Sequence, residues 1–173
     1  VMHAAARVRS QRPDAFVVAL GSYSAPLLRS IGIRVPVYPA KGYSVTMKIA
    51  DASRTPTVSL TDDEYKLVYS RLGDRLRIAG TAELNGYDTS INEARCEAIV
   101  KRTIELFPGA GRRGSALFWT GLRPATPSNV PLIGRSRYTN LYLNTGHGTL
   151  GWTHACGSAR ALADLVAGRR PEV

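Results

Sequence analysis

The spacing of apolar residues changes character several times along this chain, and each change predicts a different element. Phe16-Val17-Val18-Ala19-Leu20 is an unbroken apolar run ending in Gly21, the pattern of a strand buried on both faces of an α/β sheet. Ser24 to Ile31 reads as a short helix with a serine cap and an early proline, Pro26. Val35 to Met47 reads as a crossover running into a long strand. Thr57–Leu60, Tyr65–Leu72 and Arg75–Ala79 then alternate like antiparallel strands, with Gly73-Asp74 as the turn between the last two, and Thr81–Tyr87 continues that sheet toward a loop. Asn92–Phe107 switches to helical spacing: Ala94, Ile99, Val100, Ile104 and Phe107 share one face, Glu93, Glu97, Lys101 and Arg102 the other. Pro108-Gly109 ends it, and a loop rich in glycine and arginine leads to a strand at Ala116–Gly121.

The ends read differently from the middle. Arg7–Gln11 looks like the close of an extended segment, followed by a turn at Pro13-Asp14-Ala15. Asn140–Thr145 is a strand that enters a glycine turn. The helix after it, His154–Ala167, has Ala155, Cys156, Ala159, Leu162, Ala163 and Val166 as its expected apolar face, Thr153 as N-cap and Gly168 as stop. The expected fold class is therefore α/β plus α+β: a mostly antiparallel middle inserted between two pieces that seek a parallel sheet.

Composition narrows the classes. No apolar run approaches the roughly 20 residues of a membrane-spanning helix, and Val1-Met2-His3 is no signal peptide. Cys96 and Cys156 form neither a disulfide framework nor a metal cluster, and His3, His147 and His154 lack metal-ligand spacing. Reduced thiols point to the cytoplasm. The net charge of +10 invites an anionic partner, yet pairs such as Arg112-Arg113 and Arg169-Arg170 are scattered. A solvated basic surface comes first, peripheral attraction to acidic lipid on the inner face of the cell membrane second, and no nucleic-acid partner is expected.

Candidate chemistry begins at Gly146-His147-Gly148-Thr149-Leu150-Gly151, which fits the dinucleotide fingerprint GxGxxG. The fingerprint normally opens a βαβ unit of about 30 residues with an acidic residue about 20 further on. Here only one helix and a basic tail follow, and Glu172 has no apolar strand before it. The loop therefore reads either as a plain tight turn or as a cradle whose glycines and helix N-terminus approach an anionic or flat ligand.

Three motifs in order carry a likeness: Val17-Val18-Ala19-Leu20-Gly21-Ser22-Tyr23-Ser24, Gly121-Leu122-Arg123-Pro124-Ala125-Thr126-Pro127 and Gly146–Thr153, with Tyr38–Ser44 and Ser70–Arg75 in support. The chain resembles the C-terminal part of the FAD-dependent D-amino-acid oxidase superfamily. The resemblance implies a two-domain fold, a parallel FAD-binding sheet with an inserted mostly antiparallel substrate domain. Residues 1–38 would be part of the FAD-binding domain, 39–118 the substrate domain, and 119–173 the return to the FAD-binding domain. It implies a D-amino acid dehydrogenase: hydride transfer from a D-amino acid to FAD, hydrolysis to a 2-oxo acid and ammonia, and electrons passed to a quinone or other acceptor of the respiratory chain.

By the same resemblance, Arg123 clamps the substrate carboxylate, a task suited to a planar guanidinium fork. Tyr43, Tyr65 and Tyr69 are candidates to help hold that carboxylate, each also readable as an ordinary amphipathic-sheet tyrosine. Gly146, His147, Gly148, Thr149, Leu150, Gly151, Trp152 and Thr153 would meet the flavin ring, and Ala19 and Gly21 would let the backbone pass near the diphosphate. Lys41 and Gly42 are weaker candidates to line the site. The family's N-terminal GxGxxG unit does not occur in these residues, so this polypeptide alone is expected not to hold FAD or turn over substrate. A glycine or sarcosine oxidase-like amine oxidase is the alternative enzyme, and a non-catalytic basic module the alternative from another class.

Overall fold

The structure, a computed structural model, describes residues 13–172; the Arg7–Gln11 segment and His3 lie outside the described residues. Two sheets form. The smaller contains β1 (Phe16–Val18), β8 (Leu141–Thr145) and β7 (Leu132–Arg135), in the order β1-β8-β7. Here β1 and β8 run parallel and β7 pairs antiparallel with β8. The larger contains β3 (Leu60–Asp62), β4 (Leu67–Leu72), β5 (Arg75–Glu83), β2 (Tyr38–Lys48) and β6 (Leu117–Ala125), ordered β3-β4-β5-β2-β6 and antiparallel throughout. The helices are α1 (Ser24–Ser30), α2 (Glu93–Leu106) and α3 (Gly151–Val166).

Alternation along the strands explains the main core. Tyr43, Val45 and Met47 of β2, Leu67 and Tyr69 of β4, and Leu76 and Ile78 of β5 share one face and bury it against Cys96, Ile99 and Val100 of α2. Their successive side chains point to opposite sides, so the other face of the large sheet is left for the site. Asn92 caps α2 by accepting from the Arg95 N–H at 3.4 Å. A smaller core, Val18, Leu28 and Leu141, joins β1, α1 and β8.

The two sheets are stitched where β6 ends. Ser22 Oγ donates to the Leu122 carbonyl at 3.2 Å, Thr145 Oγ1 to the Gly21 carbonyl at 2.9 Å, and Tyr87 OH to the Ser22 carbonyl at 2.9 Å. No described helix is long and apolar enough to cross a membrane.

Several expectations are corrected. Phe16 and Val17 are 47% and 48% exposed, because among the described residues β1 has a sheet neighbour on one side only. Of the apolar face expected for α3 only Leu162 is buried: Ala155, Cys156, Ala159, Ala163 and Val166 are exposed, whereas the polar Ser158 and Asp164 are buried. Polar Ser158 and Asp164 face inward because each has a partner, His147 and Arg169 respectively, so hydrophobicity alone misjudged the side. Helix α3 starts at Gly151 with Leu150 as N-cap, placing Thr153 inside its first turn. Strand β3 begins at Leu60, the last residue of the Thr57–Leu60 stretch, and β7 was not anticipated.

Candidate functional site

The face of the large sheet away from α2 carries the site. Register pairs Ala40 with Arg123, Gly42 with Gly121 and Ser44 with Trp119 across β2 and β6. The Arg123 side chain folds back over Gly42, where any Cβ would collide with its guanidinium, and the Trp119 ring lies over Gly121 in the same manner. Two opposed glycines thus floor a guanidinium and an indole. Arg77 stands 5.9 Å from the centre of that indole.

Beside Arg123 opens a cavity of about 870 Å³, whose lining includes Tyr65, Thr81, Arg123, Asn129, Gly148 and Thr149. The non-glycine residues with positive φ among those described are Lys66 (54°), Thr81 (56°) and Asn129 (58°), and all three line this cavity. Such conformations cost about 1–3 kcal/mol each and gather where geometry is held for function. Thr81 is the extra residue of a bulge in β5: register runs from Tyr43–Gly80 to Lys41–Glu83, three steps on one strand against two on the other. The bulge turns the Thr81 carbonyl to accept from Arg123 Nη1 at 3.2 Å, and leaves Thr81 Oγ1 buried without a partner.

Arg123 has no carboxylate partner among the described residues. Burial pushes its guanidinium below the usual value, the direction expected for a cation taken from water without a counter-charge. A partly buried fork with one backbone acceptor has the chemistry to take an external anion, above all a carboxylate.

The glycine turn forms the cavity's other wall. Gly148 (φ 55°) donates its N–H to the Pro124 carbonyl at 3.0 Å, tying the turn to the residue after Arg123, and no atom lies within 4 Å of where a Cβ would stand. The first backbone bond of α3 runs from His154 N–H to Leu150 O, so the N–H groups of Gly151, Trp152 and Thr153 precede it and form the positive end of the helix. An open glycine turn that leads into α3 and a guanidinium unpaired by any described carboxylate, around one cavity, are chemically suited to a flat anionic ring edge and an amino-acid carboxylate.

Residues 2–165 match the family described as FAD dependent oxidoreductase (DAO). The chain belongs to this family. FAD is therefore the cofactor of the family to which these residues belong. The chain is 67% identical over 159 residues to a D-amino acid dehydrogenase of Dechloromonas aromatica (strain RCB), covering 92% of this chain and 38% of that protein. It is 54% identical over 162 residues to one of Methylobacterium radiotolerans, covering 94% and 39%. The chain thus spans about two fifths of the length of these curated relatives. Among solved structures, iminodiacetate oxidase from Chelativorans sp. BNC1 superposes with a TM-score of 0.80 at 24% identity, over 95% of this chain and 45% of that one. Glycine oxidase from Geobacillus kaustophilus gives 0.78 at 23%, over 90% and 42%. At these identities the likeness is one of fold.

Within this family member, the residues singled out by sequence separate into two groups. Arg123, Tyr65, Gly148 and Thr149 come together at the cavity. Tyr65 is half-exposed and stacks with Arg102, whose Cζ is 4.2 Å from the ring centre. Tyr43 and Tyr69 do not join them: both sit in the core against α2, on the opposite face of the sheet. The two-residue repeat of a strand allows either face, and here Tyr43 OH bonds Glu83 while Tyr69 packs edge-on against Phe107.

Lys41 is also on that opposite side, where its Nζ pairs with Glu83 and Asp88, each at 3.4 Å. Gly146 (φ 80°) is buried against Thr126, and His147 Nε2 bonds Ser158 Oγ at 2.9 Å. Burial and the neighbouring His154 lower the His147 pKa. Leu150 and Thr153 are exposed, Gly151 lies at the start of α3, and Trp152 is 95% exposed among the described residues. Ala19 is exposed and Gly21 takes a positive φ of 55° beside Pro124; neither lines the cavity. Sequence reasoning missed Thr81, Lys66 and Asn129, since nothing in their neighbours signals a left-handed backbone.

Proposed function

We propose that this chain supplies the substrate clamp and the flavin-ring wall of an FAD-dependent D-amino acid dehydrogenase. Arg123 carries the reading: it is a partly buried guanidinium, unpaired by any described carboxylate, facing a cavity whose other wall is the Gly148-Thr149 turn that leads into α3. The high identity to proteins named D-amino acid dehydrogenase supports the substrate class. In this reading residues 1–38 and 119–173 belong to the FAD-binding domain and 39–118 to the substrate domain.

Bound FAD supplies the hydride acceptor. Arg123 holds the substrate carboxylate in two parallel charge-assisted hydrogen bonds, which fixes the amino acid relative to the turn at Gly148. Gly42 leaves room for the guanidinium, and the Thr81 carbonyl directs it. The N–H groups at the start of α3 would favour negative charge on a bound ring, through the same dipole that binds anions at helix N-termini. The substrate loses a hydride from Cα and a proton from nitrogen, and water then converts the imine to a 2-oxo acid and ammonia. Tyr65, at the cavity rim, is placed to contact the carboxylate or side chain.

The rest of the protein adds the ADP-binding contacts of FAD, and a quinone or similar acceptor takes the electrons. Peripheral attachment to an acidic membrane surface suits the net charge of +10. A full-length holoenzyme carrying this chain is expected to oxidise D-alanine with a quinone or dye acceptor and to make no hydrogen peroxide. Stoichiometric peroxide from oxygen would replace the reading with an oxidase, and oxidation of glycine or sarcosine in preference to D-alanine would replace the substrate. The isolated chain, titrated with FAD, is expected to leave flavin fluorescence unchanged at micromolar concentration.

A further inference from the structure

The two faces of the large sheet meet at one residue pair. Lys41 and Tyr43 bracket Gly42 on β2, so their side chains leave the sheet on the α2 side while the Arg123 guanidinium covers Gly42 on the other. Both reach the same carboxylate. Lys41 Nζ is 3.4 Å from Glu83 Oε1, and Tyr43 OH donates to Glu83 Oε2. Arg95 of α2 adds a third contact, its Nε 3.4 Å from Oε2. Glu83 is largely buried, and these contacts hold its carboxyl below the usual range, the Tyr43 hydroxyl foremost.

Glu83 closes the β5 bulge. Its Cα is paired with Lys41, the last register pair beyond the extra residue, and two residues before it stands Thr81 with its positive φ of 56°. Thr81 supplies the single described acceptor of the Arg123 guanidinium, at 3.2 Å. The chain of contacts is a ring: Glu83 to Lys41 and Tyr43, these to Gly42 through the backbone, Gly42 beneath Arg123, Arg123 to Thr81, and Thr81 back to Glu83. A left-handed threonine with a buried unpartnered hydroxyl relaxes unless something on both sides holds it. The carboxylate of Glu83 is the group that does so from beyond the sheet.

We propose that Glu83, gripped by Lys41 and Tyr43, is a positioning residue for the substrate-carboxylate clamp: it locks the Thr81 bulge whose carbonyl aims Arg123. The inference rests on the reading of Arg123 as that clamp. Glu83 lies on the α2 side of the sheet, away from the cavity, and acts through the backbones of β5 and β2.

A double-mutant cycle in the full-length holoenzyme tests it, with the KM for D-alanine and the dissociation constant of propanoate, a non-reacting carboxylate, as readouts. Glu83→Gln is expected to raise both about tenfold with kcat changed less than about threefold. In an Arg123→Met background, where the clamp is gone, the same substitution is expected to change them less than about twofold, since coupled residues are non-additive. Tyr43→Phe, which removes one bond and keeps the core volume, is expected to show a smaller shift with the same dependence on Arg123, and it decides the matter should Glu83→Gln fail to fold. Equal effects in both backgrounds, or loss of kcat and melting temperature with no change in propanoate binding, overturn the proposal. If Arg123→Met itself leaves propanoate binding intact, the clamp reading falls, and that result is distinct from additivity in the cycle.

Discussion

Lys41 and Arg123 are two cations on adjacent strands, one residue out of register and on opposite faces of the same sheet. Lys41 is 1% exposed and fully provided for: Glu83 and Asp88 at 3.4 Å and the Ser90 carbonyl at 3.0 Å. Burial alone would lower its pKa, but hydrogen bonds and charges from Tyr43 and Asp88 raise it overall. Arg123 has one backbone carbonyl and a lowered pKa. Burying a charge is tolerable when it is paired and costly when it is not. The satisfied cation is architecture; in the proposed reading the unsatisfied one is completed by the substrate carboxylate. Neither residue's identity told them apart; their partners did.

Breaking the Arg123 side should have the largest effect. In the full-length holoenzyme, Arg123→Met is expected to lower kcat/KM on the order of 10³-fold, as two charge-assisted bonds of about 1.5–3 kcal/mol each are lost. Removing an unpaired cation should leave the melting temperature unchanged or higher, so a marked fall would place Arg123 among the structural charges instead. Gly42→Ala comes next. Its Cβ displaces the guanidinium, and a drop in kcat/KM of about 10²-fold is expected from the misplaced clamp, seen as a raised KM in steady-state assays.

The Lys41 side should answer in stability first. Lys41→Met leaves Glu83 and Asp88 without their shared cation, and the melting temperature should fall by roughly 5–10 °C, with a loss of activity smaller than that of Gly42→Ala. An unchanged melt would mean the network is dispensable.

Acid sharpens the contrast most gently. Backbone and side-chain bonds from Ser90 and then Lys41 lower Asp88 from 3.8 to about 2, and Glu83 is lowered too. Depressed carboxylates stabilise the fold above their unfolded pKa and lose that contribution as pH falls through the folded one. The Asp88 contribution should therefore be intact above pH 3.8 and fade toward pH 2, a slope that urea titrations at graded pH would show and that Asp88→Asn should flatten.

Much of the element pattern was legible. The alternation around Val45, Leu76 and Ile78 and the helical spacing of Ile99 and Val100 predicted the strands and α2 that make the main core, because burial of one face imposes a period on the residues themselves. Helix α3 shows where such reading stops. Its alanine-rich stripe suggested the buried side, yet Ser158 and Asp164 face inward, since each meets a polar partner outside the helix, His147 or Arg169.

The site divides along the same line. Glycines at 146 and 148 announce a turn with positive φ, and Arg123 stands in a motif, so both could be named from the chain. Which tyrosine faces the cavity could not. A strand permits two faces, and packing against α2 chose the core for Tyr43 and Tyr69. By itself the sequence determined the family, most of the elements though not β7, and the glycine turn, all encoded in local spacing and backbone freedom. Tertiary structure alone decided that Gly42 lies under Arg123, that Thr81 is a bulge residue and that Lys41 is paired while Arg123 is not. These are contacts between strands, and no single strand carries the record of its neighbour's register.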